Sequence, residues 1–285
     1  MSNTFNISRF GKLLAYDGKK YLRNFGITLA IFCCLNLTPW LFTLVFNFSM
    51  PALVRLLVIY VAVGLASIMV PAKAFGDINL PRQGVSYAML PVSNLEKYLS
   101  YVLFCLLTPV FVLLFSWAFD SLLTLLPFGG FDHYIKHFTY RGALQDFLSE
   151  LGGGGVVDIN GDSSEEFQGL LGIFGSAYDL SIILGMLFSS GFFMLGNLFF
   201  KTHKTGKTLG IMIGFSYIIS TLTQAFLLAR GIYPWMNENA MGVSVDYNSL
   251  SDLVSSSMVF SNILNTVLTI ALYIGLFFKL KTQKY

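Results

Sequence analysis

Residues 75–100 read FGDINLPRQGVSYAMLPVSNLEKYLS, a polar interruption between two strongly apolar runs. It holds four charges, Asp77, Arg82, Glu96 and Lys97, and two prolines, Pro81 and Pro91. Ser93-Asn94-Leu95-Glu96 spells a helix start, because a serine hydroxyl and a glutamate three residues on can each satisfy the other's orphan backbone N–H. Pro91 disfavours helix in the residue before it. The interruption is therefore expected to end in the root of a helix that runs on into the next apolar segment. We expect it to face the cytoplasm and to receive force from a partner protein.

The composition decides what surrounds it. Of 285 residues, 55% are hydrophobic, 12% are charged and 28 are phenylalanine. Soluble domains are about a quarter charged, so this chain is built for lipid. Cys33, Cys34 and Cys105 all lie in apolar runs; they offer neither a disulfide framework nor zinc spacing and read as small apolar fillers. The N-terminus lacks the short apolar core and small-residue cleavage site of a removable signal peptide.

Residues 6–25 carry too many charges to span. At 100° per residue, Phe10, Leu13, Leu14, Tyr21 and Phe25 share one arc, and Arg9, Lys12, Lys19, Lys20 and Arg23 the opposite one. Residues 1–24 are thus expected to form a basic amphipathic helix lying in the headgroup plane of an anionic leaflet. Asp17, on the apolar arc, does not fit that pattern.

Six apolar runs follow, at about 25–46, 53–72, 98–119, 179–200, 209–229 and 258–278, each near the roughly 20 residues that a spanning helix needs. Kinks are expected at Pro39 and Pro109. The fold class is all-α: a polytopic six-span membrane protein with an N-terminal interfacial helix and a membrane domain over 25–285. Charge segregation agrees with the count. With the N-terminus in the cytoplasm, 14 of the 18 Lys and Arg fall on the cytoplasmic side, leaving Arg55, Lys136, Arg141 and Arg230; 12 of the 15 acids fall outside or at outer helix ends. Both termini and the 75–97 loop are then cytoplasmic, by the positive-inside rule. The long outer loops are 127–169, with a short helix near 140–151, and 230–256, whose Tyr233-Pro234-Trp235 suits an interface.

Catalytic and binding signals are sparse. Lys204-Thr205-Gly206-Lys207-Thr208 ends like a phosphate-binding loop, but Lys201 stands where the first glycine belongs and membrane helices flank it. His133 and His137 share a helical spacing but are too few for a metal site. No histidine lies inside a span to serve as a base. We therefore expect neither an enzyme, a cofactor nor a metal in this chain, and no nucleic-acid partner. Asp120 and Asp179 fall near outer helix ends, where water is expected to reach them; no ladder of buried carboxylates suggests an ion relay. Asn36, Thr38, Thr221, Thr223, Gln224, Asn262 and Asn265 lie within spans, either as interhelical hydrogen-bonding groups or as the lining of a substrate path.

In its N-terminal amphipathic helix, six spans and cytoplasmic termini, the chain resembles the membrane subunits of type-2 ATP-binding-cassette (ABC) exporters. The closest likeness is in the loop between spans two and three. There Arg82-Gln83-Gly84, then Leu90-Pro91-Val92-Ser93-Asn94-Leu95-Glu96-Lys97, match that family's glycine, short link, "LP-small-S" and charged helix start. The resemblance implies a separate cytoplasmic ABC ATPase docking on Val92–Lys97 and the N-terminal helix, and a second permease subunit with substrate between the two. Leu95 would give the apolar contact, Glu96 and Lys97 the polar rim, and Ser93 the cap, with Val92 and Asn94 among the partner-coupling residues. The expected setting is a cell (inner) membrane. A membrane scaffold using the same loop, or a self-sufficient channel or secondary transporter, are the alternatives.

Overall fold

The computed structural model describes residues 5–46, 50–126, 135, 163–229 and 247–282, with side chains omitted for 81–83, 163–179, 227–229 and 247–255. The described residues form helices and no strand: α1 (Ile7–Cys33), α2 (Leu37–Phe46), α3 (Ala52–Ala74), a 3₁₀ turn (Gly76–Asn79), α4 (Pro81–Ala88), α5 (Asn94–Thr124), α6 (Ser163–Phe199), α7 (Lys204–Ala229) and α8 (Tyr247–Thr282). Six helical stretches among them are long and apolar enough to cross a membrane: Ile7–Phe46, Ala52–Ala74, Asn94–Thr124, Leu180–Phe199, Lys204–Phe226 and Ser256–Thr282. These coincide with the six expected runs, so the chain has the make-up of a multi-pass membrane protein.

The chain divides into two units. The first holds residues 1–135, 186–212 and 268–285; the second holds 136–185 and 213–267. In the first, α1, α3 and α5 pack on one another pairwise. The C-terminal part of α6 is tied to them by hydrogen bonds from Tyr101 Oη to Met194 O (3.2 Å) and from Asn197 Nδ2 to Phe75 O (3.2 Å). In the second unit, Ser181 Oγ donates to Asn262 Oδ1 (2.7 Å), and the Phe226 and Phe260 rings stack at 4.1 Å.

Helix α5 follows the logic of a lipid solvent. Its buried side includes Ser100, Cys105, Thr108, Ser116 and Asp120, while Leu103, Leu107, Phe111, Leu114 and Phe115 are exposed. Hydrocarbon gives leucine no reason to turn inward; small and polar groups go inside, where backbones approach and hydrogen bonds form. The approach is tightest at Gly196 of α6, where a Cβ would overlap the Thr208 side chain of α7.

Three local expectations are corrected. The kink placed at Pro39 falls earlier: the helix ends at Cys33, and Pro39 sits in the first turn of α2, where its missing N–H leaves no bond unmade. The N-terminal segment is not a helix of its own, because α1 runs unbroken from Ile7 to Cys33. Its apolar arc faces protein: Leu13, Asp17, Tyr21 and Phe25 are buried, with the Tyr21 ring stacked 5.4 Å from Phe104 of α5. Cys34, read as a buried filler, is exposed, whereas Cys33 and Cys105 are buried. The 140–151 helix and Tyr233-Pro234-Trp235 lie outside the described residues.

Candidate functional site

The interruption folds into three short steps. After α3, Gly76–Asn79 form the 3₁₀ turn, flanked by Phe75 and Leu80 and closed by Ile78 N to Phe75 O (3.1 Å) and Leu80 N to Asp77 O (3.1 Å). Pro81 opens α4 in its first turn, the one helical position where proline's fixed φ helps and its missing N–H costs nothing. A tight turn, with Val92 N bonded to Leu90 O (2.8 Å), leads to Ser93.

Ser93 caps α5 by the expected reciprocal box: Oγ accepts from Glu96 N (3.2 Å), and Ser93 N donates to Glu96 Oε2 (2.7 Å). The second oxygen of Glu96 does something the local sequence did not indicate. Its Oε1 accepts from the backbone N of Asn6 (2.8 Å) and from Arg9 Nη2 (3.3 Å). Asn6 is itself the N-cap of α1, its Oδ1 accepting from Ser8 N and Arg9 N. One carboxylate therefore closes the starts of two helices, and its charge complements the positive end of both dipoles.

The tie continues along the two helices. Ser100 Oγ donates to Asp17 Oδ2 (2.5 Å), and Tyr21 Oη lies 2.9 Å from Thr108 Oγ1. Asp17, the misfit of the helical wheel, is the buried partner of a serine. Lys97 turns back to Ala88 O (2.8 Å), with Nζ 5.7 Å from the Tyr87 ring centroid. At the 3₁₀ turn, Lys20 Nζ pairs with Asp77 (3.5 Å), Asn79 Nδ2 donates to Phe200 O (3.1 Å), and Lys204 Nζ donates to Gly76 O.

This geometry corrects the roles expected within 92–97. Glu96 is fully buried and Lys97 nearly so; neither is a polar rim, because both are used inside the fold. What the turn presents outward is Met89 (73% exposed), Leu95 (42%), Pro91 and Asn94, with Val92 half-buried. Met89 was missed; it precedes the Leu-Pro pair and carries no helix-cap signal. Asn6 and Arg9 were missed as well. Asn6 ahead of a charged helix is a readable N-cap, but nothing local joins it to a glutamate 90 positions away.

The residues considered for a substrate path are divided between the two units. Asn36 is buried and donates to Ser116 O (2.9 Å), and Thr38 Oγ1 donates to Leu35 O (2.8 Å), both in the first unit. In the second, Thr221 bonds Ile218 O (2.8 Å), Gln224 is exposed, Asn262 meets Ser181 and Asn265 is half-buried. Thr208, of the glycine-lysine-threonine run, bonds Lys204 O (2.7 Å) in the first turn of α7.

Asp120, expected to reach water, is instead fully buried and pairs with Arg55 Nη1 at 2.8 Å. Both charges stand in apolar runs, which was the signal that they answer one another. The Asp179 side chain, His133 and His137 lie outside what is described. Among the described residues, no three His, Cys, Asp or Glu gather as metal ligands. Comparison with protein-family models, curated proteins and solved structures finds no match.

Proposed function

We propose that this chain is the membrane subunit of an exporter of the type-2 ABC class, driven by ATP hydrolysis in a separate cytoplasmic ATPase. The reading rests on one observation: the turn at 89–95 presents Met89, Pro91, Asn94 and Leu95 outward while Ser93, Glu96 and Lys97 bind inward. A push on the exposed side is delivered to the capped starts of α1 and α5 together, not absorbed by slack chain. Both helices lead into spans. Met89 and Leu95 supply the apolar contact for the ATPase, and the buried Glu96 transmits.

In this reading the N-terminus, the 75–97 segment and the 200–204 turn face the cytoplasm, in keeping with the placement of basic residues. A second permease subunit completes the path, and the membrane is a cell or inner membrane. The decisive test is purification in mild detergent followed by reconstitution with the ATPase that accompanies the chain. Met89→Ala/Leu95→Ala should lose the ATPase while the membrane subunit stays folded. Ser93→Ala/Glu96→Ala should retain ATPase binding but lower transport per ATP hydrolysed. A stable complex lacking any nucleotide-binding chain would point to a scaffold, and flux from this chain alone to a self-sufficient channel.

A further inference from the structure

On the exposed side of α1 lies a cavity of about 360 Å³ lined by Lys19, Lys20, Arg23, Asp77, Ser86 and Tyr87. We infer that it binds a phosphate group, carried by an anionic lipid headgroup at the membrane surface. Its volume lies within the roughly 300–1,000 Å³ of small-ligand sites.

The wall has three cations and one carboxylate, and the structure assigns that carboxylate. Asp77 pairs with Lys20 (3.5 Å) and accepts from Asn24 Nδ2 (3.4 Å), while Lys20 Nζ stands 5.9 Å from the Tyr87 ring centroid. Lys20 is thereby held in the wall with its charge answered. Lys19 and Arg23 are exposed, and neither has a carboxylate within ion-pair distance among the described residues. A guanidinium fork beside an ammonium is the pairing that phosphate oxygens fit. Ser86, an exposed residue of α4, adds a hydroxyl to the lining.

The position favours a lipid as the carrier of that phosphate. Tyr16 also lines the cavity, and along α1 Leu22 and Ile27 are exposed, at 62% and 83%. Arg23 is the last charge before the apolar stretch that runs to Cys33. The cavity thus sits at the boundary between basic and hydrocarbon-like surface, the depth at which basic residues meet anionic headgroups. The inference needs the chain only to lie in a membrane, so it stands or falls independently of the exporter reading.

The test uses the full chain in neutral detergent, with retained lipid read by native mass spectrometry against mixtures of phosphatidylglycerol and phosphatidylcholine, and with inorganic phosphate titrated separately. Lys19→Ala/Arg23→Ala should weaken phosphatidylglycerol retention roughly 25-fold, whereas Lys12→Ala/Lys201→Ala, which removes equal charge outside the cavity, should weaken it less than about threefold. Ser86→Trp fills the cavity without changing charge and should lower retention as much as the charge pair does. Equal losses from both charge pairs, or undiminished retention in Ser86→Trp, would overturn the site. Inorganic phosphate that binds through Lys19 and Arg23 without lipid retention would keep the phosphate site and assign it a soluble source. Binding of neither would end the proposal.

Discussion

Helix α5 is tied near each end by a carboxylate, and the two ties are of different kinds. Glu96 and Asp120 are 24 residues apart, about 36 Å along a helix, slightly more than the roughly 30 Å hydrocarbon core. Both are fully buried. The Glu96 carboxylate is met by three N–H groups: the backbone of Ser93, the backbone of Asn6 and the Arg9 guanidinium. Asp120 is met by Arg55 through Oδ2, while its Oδ1 has no hydrogen-bond partner among the described residues. The first carboxylate is shared among backbone groups that must be satisfied in any case. The second depends on one opposite charge that is itself buried. The comparison teaches that a dispersed set of donors can lose a member and hold, whereas a buried pair fails as a unit.

The largest expected effect tests the pair. Asp120→Ala leaves Arg55 buried without its ion-pair partner and should cost about 3–5 kcal/mol, while Arg55→Met/Asp120→Leu should recover most of it. The measurement is the unfolding midpoint in mixed micelles of increasing denaturing-detergent fraction. A single variant as stable as the native chain would mean that the ion pair is not a structural tie.

The Glu96 tie comes next. Glu96→Ala should cost about 1.5–3 kcal/mol, as for hydrogen bonds to a charged group, and should speed amide exchange at residues 6–10 as well as at the start of α5. Glu96→Gln sharpens the comparison: a single amide oxygen can serve one of the two helix starts, so exchange should rise at one of them and stability should fall by less.

Ser93→Ala should cost about 1 kcal/mol and loosen residues 94–97 while leaving Asn6 on Glu96. Exchange that rises equally at α1 would show that the two starts are not separable. The smallest expected change is Leu95→Ala, within about 0.5 kcal/mol of native stability because its side chain is exposed. Its effect should appear in partner binding; a large loss of stability would instead place Leu95 in the fold's own packing.

Much of this was legible along the chain. The Ser93–Glu96 box was readable because its partners are three residues apart, and local geometry alone lets them meet. The six apolar helices were readable because length and hydropathy are local sums. The direction in which Glu96, Lys97 and Asp17 point was not. A charged residue after a cap looks like surface, and only the arrival of α1 puts Glu96 inside; Lys97 was assigned to a rim for the same reason. The same limit explains Arg55 and Asp120, each visible as an anomaly in an apolar run but joined across 65 positions only when α3 packs on α5.

By itself, then, the sequence determined the all-helical, membrane-suited character of the chain, the helix start at Ser93 and the segregation of its basic residues, because these follow from periodicity, caps and composition within a few turns. Tertiary structure alone decided that α1 is one continuous helix with its apolar arc against α5, that Glu96 closes two helices, and which side chains of the 89–95 turn remain exposed. In lipid, apolarity no longer sorts inside from outside, so the buried face is chosen by hydrogen-bond partners that only the packed helices bring together.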